Sequence, residues 1–303
     1  MAENASSGHK LGQLVGDWFE EYFVYPLLQK VGKDLGLFVD TRFTNRAVRN
    51  GKILWEDIDG NVVDYDAVLE LGGSSDQYGV PVAFFECFWR RGSRHSKDKA
   101  RDDSGKLLPT RDTYPTARFQ GIIAAGDFTT PARELVRSRQ IDLFYIPKSK
   151  IVQSYQDCGL VMDYPDKLSE ADKSKLVEDF VEQFNNEKKK EVSQKLHQLI
   201  SQADIGGYVQ RVSSSLSALP QEIRFVLRRD SEPVTFKSVD AASEFLKAPE
   251  FDLDTPNDSY VYEITYSDGA EFIKEVDSMA ELERLHTQIQ LLVEHFSKSD
   301  KLA

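Results

Sequence analysis

Apolar positions recur at helical spacing between Leu14 and Phe23, which predicts an opening helix. Two later runs, 62–70 and 81–89, are rich in β-branched and aromatic residues and short enough for strands, and glycines between them mark a turn. They predict a strand pair. The same patterns predict the elements that follow: a helix over 93–107, a strand over 119–126, a helix over 131–137 and a strand over 141–147.

Acidic residues interrupt both members of the strand pair. Alternate residues of a strand share a face, so Asp64, Asp66 and Glu70 are expected to point one way and their apolar neighbours into a core. Glu86 lies in the middle of an otherwise apolar run. Because a buried carboxylate is costly unless a positive charge meets it, the sequence predicts a cation or a metal ion beside Glu86.

An acid on one strand, a second acid about twenty residues later on the next, and a basic helix after it resemble the PD-(D/E)xK superfamily of restriction enzymes and related nucleases. Asp66 matches the first acid and Glu86 the second, and the predicted order of elements in roughly the first half of the chain fits the superfamily's core. The resemblance implies an α/β fold with a restriction-endonuclease-like mixed sheet flanked by helices. It also implies an endonuclease that hydrolyses DNA phosphodiester bonds, in a restriction or defence role, and that acts as a homodimer.

The resemblance implies Mg²⁺ as the cofactor. This ion takes one or two carboxylates together with water and phosphate oxygens, and Asp66 and Glu86 would supply the carboxylates. Asp64 or Glu70 could serve a second ion, although a solvated strand face is the simpler interpretation, above all for Glu70. Glu20 resembles the opening-helix glutamate that some family members direct at the site, and an ordinary exposed helix acid is the alternative.

One departure from the family pattern concerns the lysine expected two residues after the second acid, where this chain has Phe88. Arg90, Lys97 and Lys99 are the available replacements. Arginine stays protonated, whereas the pKa of a lysine can fall on burial, so we favour Lys97 or Lys99 and leave the choice between them open. The alternative is that Phe88 marks a degenerate nuclease fold that serves as a noncatalytic DNA- or protein-binding module.

Positive charge is concentrated after the second strand. From Glu86 to Arg118 there are nine Lys or Arg against five Asp or Glu, within a chain of formal net charge −12. Such a reversal is a candidate nucleic-acid contact surface, whereas the acidic whole argues against a sequence-blind DNA coat. The candidate DNA-binding residues are Arg90, Arg91, Arg94, His95 and Arg101.

Each of these basic residues has a simpler interpretation. Arg94, Arg101 and Lys106 could solvate the helix and pair with the aspartates among them, and His95 could be a helix-surface histidine rather than a phosphate or base contact. Trp89 alternates out of phase with Glu86, so we expect it in the core rather than as a platform for base stacking.

Composition excludes several classes of protein. The chain has 303 residues, 40% of them hydrophobic, enough for one large or two medium domains. No apolar run reaches membrane-spanning length, the first residues lack signal-peptide features, and the two cysteines have no metal-ligand spacing, so a cytoplasmic protein without a membrane partner is expected. Gly-rich loops of the P-loop or dinucleotide type are absent from the sequence.

The chain is predicted to have three parts. A restriction-endonuclease-like nuclease domain covers 1–165, a charged helical connector covers 166–205, and a smaller α+β domain covers 206–303. The last part contains an internal repeat, since 236–240 matches 273–277.

Each copy of the repeat is predicted to be a ββα unit. The hairpin turns are placed at Asp230-Ser231 and at Asp268-Gly269, and Asp240 and Asp277 are expected to cap the helices that follow. Target recognition, dimerisation and structural support all remain open as the function of this domain.

Overall fold

The structure is a computed structural model that describes residues 6–227, 232–247 and 259–299. The helices are α1 (Ser7–Phe19), α2 (Tyr25–Leu35), α3 (Ser96–Leu107), α4 (Pro109–Thr113), α5 (Thr130–Ser138), α6 (Lys148–Gln156), α7 (Glu170–Gln183), α8 (Asn186–Leu199), α9 (Gln202–Ser217), α10 (Val239–Leu246) and α11 (Met279–Ser299). The strands are β1 (Phe38–Thr41), β2 (Leu54–Glu56), β3 (Val62–Asp64), β4 (Ala67–Leu71), β5 (Val80–Arg90), β6 (Phe119–Gly126), β7 (Asp142–Pro147), β8 (Pro220–Val226), β9 (Val234–Phe236), β10 (Tyr260–Tyr266) and β11 (Glu271–Val276).

A mixed five-stranded sheet organises the first half of the chain, in the order β1-β4-β5-β6-β7. β1, β4 and β5 are antiparallel, and β5, β6 and β7 are parallel, with α3 and α5 as the crossover helices. The prediction of an α/β fold with a mixed sheet flanked by helices is confirmed. The predicted strand over 119–126 agrees with β6.

Both faces of this sheet are covered. Phe85 and Cys87 of β5 face a first core shared with α1 and α2, whereas Phe84 and Phe88 face a second core shared with α3 and α5. A strand buried on both faces reads as a continuous apolar run, which is why 81–89 shows so little alternation. Glu86 stands out in it because it is polar.

The predicted connector is corrected by the structure. α7, α8 and α9 place their apolar side chains in the first core, together with residues of the five-stranded sheet, so they cover that sheet rather than link two free-standing domains. Their lysines are exposed or partly exposed, and the predicted amphipathic helical pattern is confirmed. The high charge of 166–205 does not indicate whether the apolar face of its helices packs on a sheet.

Two ββα units form the second sheet, in the order β11-β10-β8-β9, with α10 and α11 behind it. The turn at Asp268-Gly269 is present, with Gly269 at φ 82°, and Asp230-Ser231 lies outside the described residues. The predicted caps, Asp240 and Asp277, are wrong by two residues and by one residue.

Serine hydroxyls take the place of those aspartates. Ser238 accepts from the N–H of Ala241 at 3.2 Å, and Ser278 accepts from the N–H of Glu281 at 3.2 Å. Each therefore caps the first turn of its helix, a position that serine fills as well as aspartate does.

The two sheets are joined by specific contacts. NH2 of Arg118 donates to both carboxylate oxygens of Asp268, at 2.8 Å each, and the guanidinium lies 3.5 Å from the ring centroid of Tyr266. The Tyr266 hydroxyl donates to the carbonyl of Pro115 at 2.8 Å. In the part of the chain that the structure describes, no helix has the length and apolar composition needed to cross a bilayer.

Candidate active site

Asp66 directly precedes β4 and lies close to Glu86 of the neighbouring strand β5. β4 and β5 pair with Ala67 opposite Phe85, so Asp66 and Glu86 flank the end of the paired stretch. The two carboxylates are close enough that Asp66 raises the pKa of Glu86. The N–H of Cys87 donates to Oδ2 of Asp66 at 2.7 Å and orients that carboxylate beside β5. The structure thus brings together the two acids singled out in the sequence.

Glu86 is 1% exposed. Its Oε2 accepts from Nζ of Lys106 at 2.9 Å, and its Oε1 has no hydrogen-bond partner among the described residues. Burial raises the pKa of Glu86 to about 8, the Asp66 and Asp103 carboxylates add to the rise, and Lys106 opposes it. A buried carboxylate oxygen without a donor is costly, so a cation beside Oε1 would relieve the site.

One face of α3 carries the groups that approach Glu86. Lys99, Asp103 and Lys106 are spaced i, i+4 and i+7, so they share the side of the helix that packs on the sheet. Nζ of Lys99 donates to Oδ1 of Asp103 at 2.6 Å, while Oδ2 of Asp103 has no partner among the described residues. Burial raises the pKa of Asp103, an effect that Lys99 opposes.

Lys99 lies over the side chain that replaces the expected lysine. Its Nζ is 5.4 Å from the ring centroid of Phe88, which lies on the same side of β5 as α3. Lys97, two residues earlier on the helix, is exposed. Of the two candidates left open by the sequence, Lys99 is the one that the structure directs at the site.

Glu20 lies on the α1 side of the five-stranded sheet, opposite the side covered by α3. It opens the π-helical turn Glu20–Val24 between α1 and α2, and its Oε2 lies 2.8 Å from Nε of Arg42. Burial raises the pKa of Glu20 to about 7; Arg42 opposes the rise and the Asp66 carboxylate adds to it. Glu20 is therefore electrostatically coupled to Asp66 and is not a freely exposed helix acid. Wide helical turns of this kind are common at functional sites.

Glu70 and Asp64 do not join this cluster, contrary to their predicted alignment with Asp66. The single predicted strand is two strands, β3 and β4, separated by Tyr65 and Asp66, and a register shift between Leu69 and Glu70 breaks the alternation further. Asp64 lies in the β2–β3 hairpin, where its Oδ1 accepts from the N–H of Ile53 at 3.1 Å.

Glu70 is fully buried rather than solvated. Its Oε2 accepts from NH2 of Arg46 at 2.8 Å and from the N–H of Gly79 at 2.6 Å, and Arg46 also donates to Asp40. The Arg46 guanidinium lies 4.4 Å from the ring centroid of Tyr78. Because both of its oxygens accept from protein donors, Glu70 is part of a structural ion-pair network and is not available to a metal.

The proposed DNA-binding residues are used in different ways. Arg91 is held within the protein: its NH2 pairs with Asp166 at 2.6 Å and its NH1 donates to the Tyr164 carbonyl at 2.9 Å. His95 and Arg101 are exposed, and both pair with Asp98 at the helix surface, at 3.1 and 3.4 Å. For these two the solvated-helix interpretation fits the contacts. Arg94 is exposed and Arg90 is half-buried at the end of β5.

The donor set of the site suits a metal ion that needs few protein ligands. Within 6–227, 232–247 and 259–299, no three His, Cys, Asp or Glu side chains are grouped closely enough to hold an ion by themselves. Mg²⁺ needs less, because one or two carboxylates suffice when water and phosphate oxygens complete its octahedron. Asp66 and Glu86 supply two carboxylates, and the unpartnered Oε1 of Glu86 fits a cation.

Asp103 and Lys106 were not predicted as site residues, and Lys106 was expected to solvate the helix. The signal lay in the spacing: 99, 103 and 106 fall on the same helix face as the buried Ala100 and Leu107, so long polar side chains there must reach the sheet. Comparisons with known proteins add no relative: no protein-family model, no curated protein and no solved structure matches the chain.

Proposed function

We propose that this protein is a Mg²⁺-dependent endonuclease that hydrolyses DNA phosphodiester bonds. One observation carries the proposal: Glu86 lies beside Asp66 with a buried, unpartnered Oε1, beneath a helix face that bears two lysines. A restriction or defence role, action as a homodimer and a cytoplasmic location follow from the resemblance to the superfamily and from composition, and they stay predictions.

Asp66 and Glu86 would hold the Mg²⁺ ion, which would supply a water of lowered pKa and neutralise charge on the phosphoryl oxygens. Lys106 fixes the orientation of Glu86 through Oε2, so that Oε1 is the oxygen left available. The backbone N–H of Cys87 does the same for Oδ2 of Asp66. Neither carboxylate has to reorganise before it acts, which is the usual advantage of a preorganised site.

Lys99 is the residue that we assign to the missing motif lysine. An ammonium has three donors and Asp103 accepts one of them, so two remain for the attacking water or a phosphate oxygen. The Asp103 carboxylate keeps the long side chain over Phe88, where it would otherwise be free to rotate. Asp103 is thus a positioning residue.

Glu20 is a candidate proton acceptor at the edge of the site. General bases work best when their pKa lies near the operating pH, and burial brings the pKa of Glu20 to about 7. Arg42 holds its carboxylate through Nε at 2.8 Å. We propose that the Glu20 carboxylate receives the proton from the attacking water and that Arg42 holds it in place.

Cleavage of mixed plasmid, linear duplex and single-stranded DNA with Mg²⁺, with sequencing of the product ends, tests the proposal. Asp66→Asn and Glu86→Gln should each abolish cleavage while leaving the circular-dichroism spectrum unchanged. Glu182→Gln changes an exposed glutamate of α7 and is the matched control. Wild-type rates in either site variant would refute the assignment of the two acids.

A noncatalytic DNA- or protein-binding module is the second candidate, and the Lys106–Glu86 ion pair favours it. An ammonium at 2.9 Å already neutralises Glu86 in part, as expected in a site that has lost its metal. Calorimetric titration with MgCl₂ separates the two candidates. Saturable Mg²⁺ binding that disappears in Glu86→Gln supports the enzyme, and DNA binding without Mg²⁺ binding or cleavage supports the module.

A further inference from the structure

A groove of about 540 Å³ opens beside the candidate active site, between the N-terminal half of α1 and the C-terminal end of β5. Phe88 and Lys99 belong to both the site and the groove, so the two are continuous. The other lining residues that matter here are His9, Gly12, Trp89 and Arg90. A ligand in this groove would contact Phe88 and Lys99 at the end that adjoins the site.

The groove is positively charged where it meets the site. Among the described residues, no carboxylate lies within ion-pair distance of Arg90, whereas its neighbour Arg91 is held by Asp163 and Asp166 at 3.4 and 2.6 Å. Lys99 adds a second cation at the same end. Two adjacent cations without full internal neutralisation favour a polyanion such as a phosphodiester backbone.

The α1 wall of the groove is shaped by glycine. A glycine in a helix interior is destabilising relative to alanine, and a Cβ at Gly12 would meet no atom within 4 Å, so packing does not require a glycine there. Gly8, one turn earlier, is different, because a Cβ there would overlap the Tyr164 hydroxyl. The effect of Gly12 is to keep the groove open for close approach of a ligand.

The opposite wall is aromatic and the reacting groups lie deep. Trp89 packs against the first core, as expected, and is partly buried, so that part of its side chain also lines the groove. Glu86 and Asp103 are each 1% exposed. A duplex keeps its bases paired and its backbone on a wide, stiff rod, whereas a single strand can bend into a narrow groove and stack a base on an aromatic ring.

We propose that this groove binds the single-stranded nucleotides that flank the scissile phosphate, so that the substrate is a single-stranded or frayed segment of DNA rather than an intact duplex. That the bound strand contains a phosphate to be cut rests on the proposed nuclease function. The binding of a single strand in the groove does not depend on it. A cationic groove with one aromatic wall is the usual design for binding a single strand without sequence preference.

Fluorescence anisotropy tests the inference with a short single-stranded DNA oligonucleotide and its blunt duplex as probes, on the full chain in EDTA, where no cleavage occurs. Gly12→Met places a long side chain in the groove. Methionine favours a helical backbone, so the substitution should not disturb α1. Gly105→Met is the matched control, because Gly105 is an exposed helical glycine of α3 whose Cβ would also meet no atom within 4 Å. Arg90→Gln removes the free cation without adding bulk.

Gly12→Met should weaken single-strand binding by at least about tenfold, roughly the contribution of one stacked base, while Gly105→Met leaves it unchanged. Both should melt at or above the wild-type temperature, since each removes a helical glycine. Arg90→Gln should weaken binding and make its salt dependence shallower. Tighter binding of the duplex than of the single strand, or an unchanged affinity in Gly12→Met, overturns the inference.

Parallel cleavage assays in Mg²⁺ separate the groove from the nuclease proposal. Cleavage that persists at the wild-type rate in Gly12→Met refutes the groove and leaves the nuclease standing. Single-strand binding that is lost in Gly12→Met, without cleavage by the wild type, supports the groove and refutes the nuclease. A wild type that neither binds nor cuts DNA refutes both.

Discussion

Nζ of Lys106 lies 2.9 Å from Oε2 of Glu86, while Lys99, two helical turns earlier on the same face, is bonded to Asp103 and reaches over Phe88. The two lysines therefore have different roles. Lys106 orients a carboxylate, and Lys99 keeps donors available above the strand. The two lysines are therefore not interchangeable replacements of the motif lysine.

Lys99→Met should lower the cleavage rate by about 10²- to 10⁴-fold, the range usual for loss of a general acid-base group, while DNA affinity measured in Ca²⁺ changes far less. The measurement is a single-turnover rate on end-labelled DNA. Lys97→Met is the matched control, because Lys97 is an exposed lysine of the same helix. If the control loses as much activity as Lys99→Met, the assignment of Lys99 fails.

Glu86→Gln should stabilise the metal-free protein at alkaline pH. The folded-state pKa of Glu86 is raised from 4.5 to about 8 by burial and nearby carboxylates, so its stabilising contribution is complete below pH 4.5 and is lost as the pH rises through 8. Glutamine stays neutral throughout. Melting temperatures in EDTA should therefore differ little near pH 4.5 and favour Glu86→Gln at pH 8.

Mg²⁺ should reverse that order. At pH 8 a saturating concentration of Mg²⁺ should raise the melting temperature of the wild type and leave that of Glu86→Gln unchanged. The reason is that a charged carboxylate coordinates Mg²⁺, whereas the neutral amide of glutamine does so poorly. Glu182→Gln controls for the loss of any exposed negative charge. Equal melting curves of wild type and Glu86→Gln in EDTA at pH 8 would contradict the burial argument.

Arg46→Met should destabilise the protein by about 3–5 kcal/mol in urea unfolding, because it leaves Asp40 and Glu70 as buried charges without their main partner. All three side chains have no solvent exposure. Lys30→Met breaks an exposed i, i+4 pair with Asp34 and should cost no more than about 0.5 kcal/mol. Similar losses for the two variants would argue against a buried network.

Acid should weaken the second sheet through His286. Nδ1 of His286 lies 2.9 Å from the Tyr262 hydroxyl and Nε2 lies 2.8 Å from Oγ of Ser243, which itself donates to the Val239 carbonyl. The neutral ring completes this chain, with Nε2–H as donor and Nδ1 as acceptor. Burial lowers the pKa of His286, so its contribution is complete above pH 6.5 and is lost as the pH falls below it.

The check on His286 is the urea midpoint between about pH 7.5 and 5.5, together with an NMR titration of the histidine ring carbons. The wild type should lose stability across this window, and His286→Gln should show a shallower dependence from a lower starting point. His9→Gln changes an exposed histidine and should match the wild-type slope. A His286 resonance that titrates at the ordinary histidine pKa would contradict the prediction.

Much of the fold could be predicted from the sequence because its strands are buried on both faces and its helices have clear apolar stripes. The 119–126 run contains a single polar side chain, that of Gln120, and otherwise apolar residues and glycine. A short apolar run of this kind is typical of a strand buried on both faces, so its bounds could be predicted. Asp66 and Glu86 could be singled out because a carboxylate amid apolar residues is costly.

Other parts could not be predicted because they depend on contacts distant in sequence. Glu70 reads as a surface acid until Arg46, twenty-four residues earlier, is placed against it. The role of Lys106 depends on how far α3 runs along β5, which local periodicity does not fix. The helices of the supposed connector are amphipathic in any arrangement, and only the folded chain shows which sheet they cover.

The last helix, α11, contributes to both cores. Leu285 and Ile289 lie in the core of the second sheet, Leu292 and Phe296 lie in the first core, and Nε2 of His295 lies 2.7 Å from the carbonyl of Leu35. Loss of packing in one of the two cores should therefore destabilise α11 and, through it, the other core. The two sheets should melt in one cooperative transition, and cutting the chain before Met279 should leave the half that bears Glu86 unable to fold on its own.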